Sequence, residues 1–247
     1  MSNHEMEINP VSERIVAVLF DIDGTLIITG GAGAESWRLA FDELYGIPAD
    51  IAEFTDTGLT DPDVGRQTFK AVLDREPETD EFARLMECRT HHLHKTVAES
   101  KDYRVLDGVE DLLPQLLEAG LLLGLVTGNV EAAAHVKLHR ANLNRYFACG
   151  GYGSDSTDRG EVARTALRQA SLVYGEELAP SRCIVVGDTP HDADGAHAGG
   201  MICVGVASHK FSAAELEKGG AEYVISSLAH GLPEAALGRG PIRDLRP

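Results

Sequence analysis

The chain has 247 residues, of which 43% are hydrophobic and 25% charged, with a formal net charge of −17. A chain of this length and composition buries a sizeable apolar core, which excludes disorder of the whole chain and leaves room for one large domain or a core with a smaller insert. The acidic balance argues against nucleic acid and anionic membranes as partners, because binding either needs neutralising Lys and Arg.

The first predicted element is a strand at Ile15–Phe20, a short continuous apolar run that is typical of a parallel strand buried on both faces. The preceding segment, MSNHEMEINP, lacks the basic and apolar regions of a signal peptide. From about residue 30 to residue 104 the pattern changes. No convincing strand is present there, and periodicity and capping residues predict three helices, at Ala34–Tyr45, Pro62–Leu73 and Thr79–Glu99.

Strands and helices alternate in the second half of the chain. The predicted strands are Leu121–Val126, Cys183–Val186 and Met201–Val206, with weaker ones at Tyr146–Cys149 and Tyr223–Ile225. The predicted helices are Val109–Ala119 with Pro114 inside it, Glu131–Leu143, Gly160–Val173, and two that begin at Thr189 and Ser212. This order predicts an α/β fold: a doubly wound parallel-sheet, Rossmann-like core formed by residues 1–29 and 105–247, with an inserted helical cap domain at 30–104. The tail Gly238–Pro247 is expected to be frayed.

The four cysteines, at positions 88, 149, 183 and 203, are scattered and form no Cys-x-x-Cys pair. A disulfide framework is not expected in a chain of this kind, and a reducing compartment is favoured. No apolar run approaches the roughly 18–20 residues that a membrane span needs. We therefore expect a cytoplasmic protein. The sequence favours no particular oligomeric state.

Three of the buried strands run into polar clusters. Ile15–Phe20 is followed by Asp-Ile-Asp-Gly-Thr at 21–25, Leu121–Val126 by Thr-Gly-Asn at 127–129, and Cys183–Val186 by Gly-Asp-Thr-Pro-His-Asp at 187–192. Ligands bind beyond the carboxyl ends of the strands in open α/β sheets, so the three clusters are expected to converge on one site. Carboxylates that converge there repel one another, and Mg²⁺ with its preference for hard oxygen ligands relieves that repulsion. The ion also explains how so acidic a chain can bind an anionic substrate.

This ordered set of motifs resembles the haloacid dehalogenase superfamily: DxDGT, a strand ending in Thr, a basic residue, then GDxxxD. The helical insert resembles the C1-type cap of that superfamily, and the likeness covers nearly the whole chain. Its nearest resemblance is to phosphoglycolate phosphatase-like members. The resemblance implies a Mg²⁺-dependent phosphatase that hydrolyses a small phosphorylated metabolite through an aspartyl-phosphate intermediate.

The resemblance also implies roles for individual residues. Asp21 would be the nucleophile, and Asp23 would act first as general acid and then as general base. Gly24 would permit the tight turn that Thr25 ties down. The hydroxyl of Thr127, with the amides of Gly128 and Asn129 nearby, would bind phosphoryl oxygens. The expected Mg²⁺ ligands are acidic residues from the first and last motifs, with Asp23 acting through its backbone carbonyl: Asp21, Asp23, Asp188 and Asp192.

The basic residue of the third motif departs from the family pattern, which usually has Lys. Lys137 stands too early, on the helix directly after Thr127. Arg159, where the next helix begins, is the candidate, because a guanidinium can hold phosphoryl and carboxylate oxygens in bidentate fashion. Arg164 is the second choice, but it lies five residues further along the helix and is expected to face elsewhere.

Other functions stay open. Asp23 argues against the dehalogenase and phosphonate-cleaving branches, whereas a sugar phosphomutase of the same superfamily keeps both aspartates. A non-catalytic regulatory or binding protein on this fold is a further alternative.

Several further residues allow two interpretations. The segment Thr57–Asp61 is equally a cap loop that reaches the active site or an ordinary turn, and His191 is equally a substrate contact or a surface residue. Trp37 and Phe41 are expected in the core of the cap. Among His91, His92 and His94 only the first and last share a helix face, so a solvated helix is favoured over a metal site.

Overall fold

We describe the protein from a computed structural model that covers residues 14–51, 58–207 and 210–238. The N-terminal ten residues, Thr57 and the tail after Gly238 lie outside the described residues. In the part of the chain that is described, none of the helices combines the length and the apolar character that crossing a bilayer would demand.

A six-stranded parallel sheet forms the centre of the molecule, in the order β5-β4-β1-β6-β7-β8. Its strands are β1 (Ala17–Phe20), β4 (Leu122–Thr127), β5 (Cys149–Tyr152), β6 (Cys183–Gly187), β7 (Ile202–Val206) and β8 (Tyr223–Ile225). Side chains of β1 alternate between two apolar clusters, with Val18 and Phe20 in one and Ala17 and Leu19 in the other. Helices therefore cover both faces, which confirms the predicted doubly wound α/β fold.

Within the described part of the chain, six helices accompany the sheet: α4 (Val109–Glu118), α5 (Glu131–His139), α6 (Arg159–Tyr174), α7 (Pro190–Ala198), α8 (Ala213–Lys218) and α9 (Glu234–Leu237). Pro114 lies inside α4 without ending it. Helix α5 is four residues shorter than predicted, because the chain turns after it through Asn142 in a left-handed conformation (φ 55°).

The strand predicted at Tyr146–Cys149 was displaced from its true position. A short 3₁₀ turn occupies Asn144–Tyr146, and β5 begins at Cys149, where it pairs with β4. Two glycines in β5 weaken its strand signal in the sequence. The structure explains one of them, because a Cβ at Gly151 would lie 2.1 Å from the carbonyl oxygen of Val162 in α6.

Among the residues described between β2 (Ile27–Ile28) and β3 (Arg104–Val105), three helices are present: α1 (Ala32–Tyr45), α2 (Asp61–Leu73) and α3 (Thr79–Glu99). The sequence did not reveal β2 and β3, which form an antiparallel pair where the chain enters and leaves the insert. The insert has an apolar cluster of its own that includes Trp37 and Phe41, as expected. That cluster supports the assignment of residues 30–104 to a cap domain, which stays a prediction.

Candidate active site

The carboxyl ends of three adjacent strands meet at one cavity of about 380 Å³. Asp21 follows β1, Thr127 ends β4 and Asp188 follows β6, and β1 is hydrogen-bonded to both of its neighbours. The backbone N–H of Asp21 donates to the carbonyl oxygen of Val186 at 2.9 Å, which holds the first and last motifs side by side. Sheet topology thus brings together three motifs that begin at widely separated positions in the sequence, at residues 21, 127 and 187.

Asp21, Asp188 and Asp192 form a buried acidic cluster in which each offers an oxygen within 4.8 Å of the others. Burial, reinforced by the neighbouring Asp192 carboxylate, raises the pKa of Asp21 well above its usual value and that of Asp188 to about 7. Such shifts mark negative charge that the protein alone leaves poorly compensated. Buried carboxylate oxygens are the donors that Mg²⁺ prefers, so the cluster fits a divalent cation of this kind.

The turn after β1 is built around Asp188. Gly24 has a left-handed backbone (φ 88°), and a Cβ there would lie 2.1 Å from Asp188 Oδ2. Thr25 Oγ1 donates to Asp188 Oδ1 at 3.3 Å. Only glycine fits at position 24. The hydroxyl of Thr25 joins the turn to Asp188 of the acidic cluster.

Arg159 lies inside the acidic cluster at the first turn of α6. Its Nη2 donates to Asp192 Oδ1 and lies 4.0 Å from Asp21 Oδ1. Asp192 Oδ2 also accepts hydrogen bonds from the amide and hydroxyl of Thr189. Both oxygens of Asp192 are therefore engaged, which suits it to orient Arg159 and support a metal site indirectly. Arg164 turns away, as expected, and pairs with Glu161.

Asp23 is held by a residue that sequence reasoning set aside. Lys137 Nζ donates to Asp23 Oδ2 at 2.6 Å and to Asn129 Oδ1 at 2.5 Å, and Asn129 Nδ2 donates to the same Asp23 oxygen at 2.8 Å. Burial alone would raise the pKa of Asp23, but the charge and hydrogen bond of Lys137 outweigh it and lower that pKa. Asp23 is thus a carboxylate in this arrangement.

A signal for Lys137 exists in the sequence. It lies four and three residues after Ala133 and Ala134, on the helix face that those alanines bury, and only 5% of Lys137 is exposed. A lysine on the buried face of a helix needs an anionic partner. Distance along the chain from Thr127 was therefore a poorer guide than helix face.

The hydrogen bonds of the second motif converge on Thr127. The backbone N–H of Asn129 points to Thr127 Oγ1, as does its Nδ2, at 3.3 and 2.8 Å. The Asn129 amide is therefore directed at the threonine in this structure, and its contact with a phosphoryl oxygen stays a prediction. Because two donors converge on Thr127 Oγ1, the hydrogen of this hydroxyl is the part that can be donated to a phosphoryl oxygen.

A sequence model of haloacid dehalogenase-like hydrolases matches residues 15–200. The chain belongs to this hydrolase family. It is 30% identical over 195 residues to the phosphoglycolate phosphatase of Nitrosospira multiformis, covering 77% of this chain and 83% of that one. It is 28% identical over 199 residues to the 5'-nucleotidase of Pseudomonas aeruginosa, covering 78% and 83%. The crystal structure of CbbY from Rhodobacter sphaeroides in complex with phosphate shares the fold, with a TM-score of 0.72 and 20% identity over 90% of this chain and 99% of that one.

These matches confirm the predicted superfamily, the Rossmann-like fold and an enzyme of the hydrolase class. The two relatives named above, a phosphoglycolate phosphatase and a 5'-nucleotidase, differ in the substrate that their names state. The substrate of this hydrolase therefore has to be argued from its own cavity.

The insert of this hydrolase reaches the second motif at the start of α2. The amide of Asp61 donates to the carbonyl oxygen of Gly128 at 2.7 Å, and Asp61 Oδ2 accepts from the amide of Val130 at 2.9 Å. Both Asp61 oxygens are also held by Arg89 of α3, at 3.0 and 3.1 Å. The described part of the predicted cap loop, residues 58–61, thus contacts the active site, and Thr57 lies outside the described residues.

His191 lies beside this loop at the mouth of the site. A Cβ at Gly58 would lie 2.6 Å from its ring, and its side chain remains 47% exposed. The structure therefore places His191 at the surface, next to the loop.

Proposed function

We propose that this hydrolase is a Mg²⁺-dependent phosphatase that forms an aspartyl-phosphate on Asp21 and acts on a small phosphomonoester. The observation that carries the proposal is the position of Asp21: a buried carboxylate at the end of β1, within 4.8 Å of two further carboxylates and 4.0 Å from a guanidinium. A carboxylate so placed has charge partners for a phosphoryl group and the acidic neighbours that a cation needs. The names of two relatives, a phosphoglycolate phosphatase and a 5'-nucleotidase, support hydrolysis of a phosphomonoester.

The first step makes and breaks one bond each. An oxygen of the Asp21 carboxylate attacks phosphorus, and the bond from phosphorus to the ester oxygen breaks. Asp23 gives a proton to the departing oxygen. Since the Lys137 ion pair keeps Asp23 ionised, we infer that this proton enters with the monoanion of the phosphomonoester and passes to Asp23 in the closed site.

The second step uses Asp23 as it stands in the structure. As a carboxylate it takes a proton from water, whose oxygen attacks the phosphorus of the aspartyl-phosphate. Inorganic phosphate leaves and the Asp21 carboxylate is restored. The Lys137 and Asn129 contacts keep the side chain of Asp23 in one orientation through both steps.

The remaining side chains bind and position the phosphoryl group. Arg159, held by Asp192, presents positive charge beside Asp21, and the hydroxyl of Thr127 donates to a phosphoryl oxygen. Asp21, Asp188 and the backbone carbonyl of Asp23 would hold Mg²⁺, with Asp192 in support. When bound, the ion supplies neutralising charge for the phosphoryl oxygens.

Residues 30–104 act in this proposal as a cap that excludes water and selects the substrate. The contact of Asp61 with Gly128 and Val130 supports it, because a cap loop that binds the second motif closes the cavity over the phosphoryl group. The cavity of about 380 Å³ suits a small phosphorylated metabolite. A cytoplasmic location is part of the same proposal.

The test is turnover of an aryl phosphate, followed by a panel that includes phosphoglycolate, nucleoside monophosphates and sugar phosphates. We expect release of inorganic phosphate that requires Mg²⁺ and is abolished by EDTA and by Asp21→Asn. Isomerised sugar phosphate without free phosphate would favour the phosphomutase. Absence of turnover by folded, Mg²⁺-loaded protein on the whole panel would overturn the proposal in favour of a non-catalytic protein.

A further inference from the structure

A second group of metal-binding side chains lies within the helical insert, on the facing sides of α1 and α3. It consists of Glu43 from α1 and of Cys88 and His92 from α3, and we refer to these three residues as the insert triad. Its members differ from the active-site carboxylates, since they combine a thiol, an imidazole and a single carboxylate. The reaction proposed above uses none of them.

The spacing of the insert triad suits a metal ion. Cys88 and His92 are four residues apart, so they share one face of α3, and Glu43 approaches that face from the neighbouring helix. Their three potential ligand atoms all lie within 4.8 Å of one another. Zn²⁺ bound tetrahedrally at about 2.0–2.3 Å from its ligands separates those ligands by roughly 3.3–3.8 Å. Small rotations of the side chains would bring the three atoms to these distances.

A hydrogen bond joins two members of the insert triad. His92 Nε2 lies 2.8 Å from Glu43 Oε2, and because a carboxylate only accepts, the imidazole donates this hydrogen bond. Burial, then the charge and hydrogen bond of Glu43, raise the pKa of the Cys88 thiol to about 11. The imidazole and the thiol are therefore directed toward the same carboxylate, with the three potential ligand atoms within 4.8 Å of one another.

We propose that Glu43, Cys88 and His92 bind one Zn²⁺ ion, or a divalent cation of similar softness, which joins α1 to α3. Thiolate and imidazole ligands favour Zn²⁺ over Mg²⁺, so this site and the carboxylate cluster around Asp21 select different ions. Glu43 is 58% exposed and His92 19%, which leaves water access to the fourth coordination position. On binding, the thiol loses its proton to solvent and the imidazole carries its hydrogen on Nδ1.

The neighbouring histidines provide a matched control. The sequence predicted a solvated helix here, because only His91 and His94 share a helix face, whereas the structure directs His92 toward Glu43. His91 directly precedes His92 on the same helix and lies outside the insert triad. Replacing it removes an imidazole from α3 without removing a ligand of the proposed site.

Co²⁺ added to reduced, EDTA-treated and desalted protein tests the proposal, because a cysteine thiolate bound to Co²⁺ gives an intense charge-transfer absorption that carboxylates do not give. We expect this band to saturate at one Co²⁺ per chain and to be displaced by Zn²⁺. Cys88→Ser should abolish the band, and His92→Ala should weaken Co²⁺ binding at least about tenfold. His91→Ala and Cys149→Ser should leave the band unchanged.

Two results would overturn the proposal: a wild-type protein without the band, or a Cys88→Ser variant that retains it. A second readout is thermal unfolding, since Zn²⁺ should raise the midpoint of the wild type and of His91→Ala but not of Cys88→Ser. Mg²⁺-dependent hydrolysis by Cys88→Ser should equal that of the wild type. The proposed metal site is therefore tested by Co²⁺ absorption and thermal unfolding, and the proposed phosphatase by hydrolysis, so that either proposal can fail without the other.

Discussion

Replacement of Asp188 by Asn should stabilise the metal-free protein while it abolishes activity. The Asp188 side chain is almost fully buried beside Asp192, and its pKa is raised from 3.8 to about 7. Between pH 4 and 7 the folded protein retains a proton on Asp188 that the unfolded chain has lost, so the free energy of unfolding falls as the pH rises through this range. The difference between the pKa of Asp188 in the unfolded chain and in the folded protein corresponds to about 4 kcal/mol. This value is the upper limit of the stability that is lost above pH 7.

An asparagine side chain has the shape of the aspartate without its charge, so the Asp188→Asn variant escapes this loss. We expect it to be more stable than the wild type by about 2–4 kcal/mol at pH 8 in EDTA, and nearly equal to it at pH 5. Mg²⁺ at pH 8 should stabilise the wild type and remove most of the difference. Urea unfolding followed by circular dichroism at both pH values measures these quantities.

A control at an exposed aspartate of the following helix, α7, separates the effect of burial from that of charge alone. Asp194 has a side chain that is 72% exposed, and Asp194→Asn should change the free energy of unfolding little at either pH. Two results would refute the interpretation that Asp188 carries a buried charge without compensation. One is a stability difference between Asp188→Asn and the wild type that does not grow with pH, and the other is a variant less stable than the wild type at pH 8.

The other predictions concern the basic residues of the active site and the contact of the insert with the second motif. Arg159→Ala should lower kcat by about 10²–10³-fold, because a hydrogen-bond donor to the charge of the transition state is lost. Arg159→Lys should retain most of the activity. An equal loss of kcat in the two variants would show that positive charge is not what Arg159 supplies. Lys137→Met removes the ion pair that lowers the pKa of Asp23, so the acidic limb of the pH–rate profile should move to higher pH. If the acidic limb stays at the same pH, the role of Asp23 as general base is contradicted. Asp61→Asn should raise KM more than it lowers kcat in steady-state assays, because it weakens the contact of the insert with Val130. An unchanged KM would show that this contact does not help to close the cavity over the substrate.

The sheet was predictable because buried parallel strands carry a simple signal. Ile15–Phe20 and Cys183–Val186 are continuous apolar runs, and the strands observed there differ from the predicted ones only at their ends. Strand β5 was misplaced because its two glycines weaken the strand signal, and one of them, Gly151, serves close packing against α6 instead. Strands β2 and β3 are two residues long each, too short to produce a periodic pattern.

The candidate site was predictable where residues follow strand ends and unpredictable where they arrive from helices. Asp21, Thr127 and Asp188 are adjacent because the ends of parallel strands are adjacent. Lys137, in contrast, reaches Asp23 from the buried face of α5, and the contact of Asp61 with the second motif depends on how the insert sits over the core. Such contacts are set by tertiary packing, which a local sequence pattern does not encode.

The central claim is that Asp21 carries the phosphoryl group during turnover. Asp23→Asn should slow hydrolysis of the aspartyl-phosphate intermediate, so the intermediate should accumulate in this variant. The variant is mixed with Mg²⁺ and a substrate that the wild type hydrolyses, and the reaction is then quenched. Treatment with borohydride reduces an aspartyl-phosphate to homoserine. We expect peptide mass spectrometry to find homoserine at position 21, and none when Mg²⁺ is withheld or when Asp21→Asn is added to the variant. Homoserine at another position, or none at all while wild-type protein releases phosphate from the same substrate, would contradict the account.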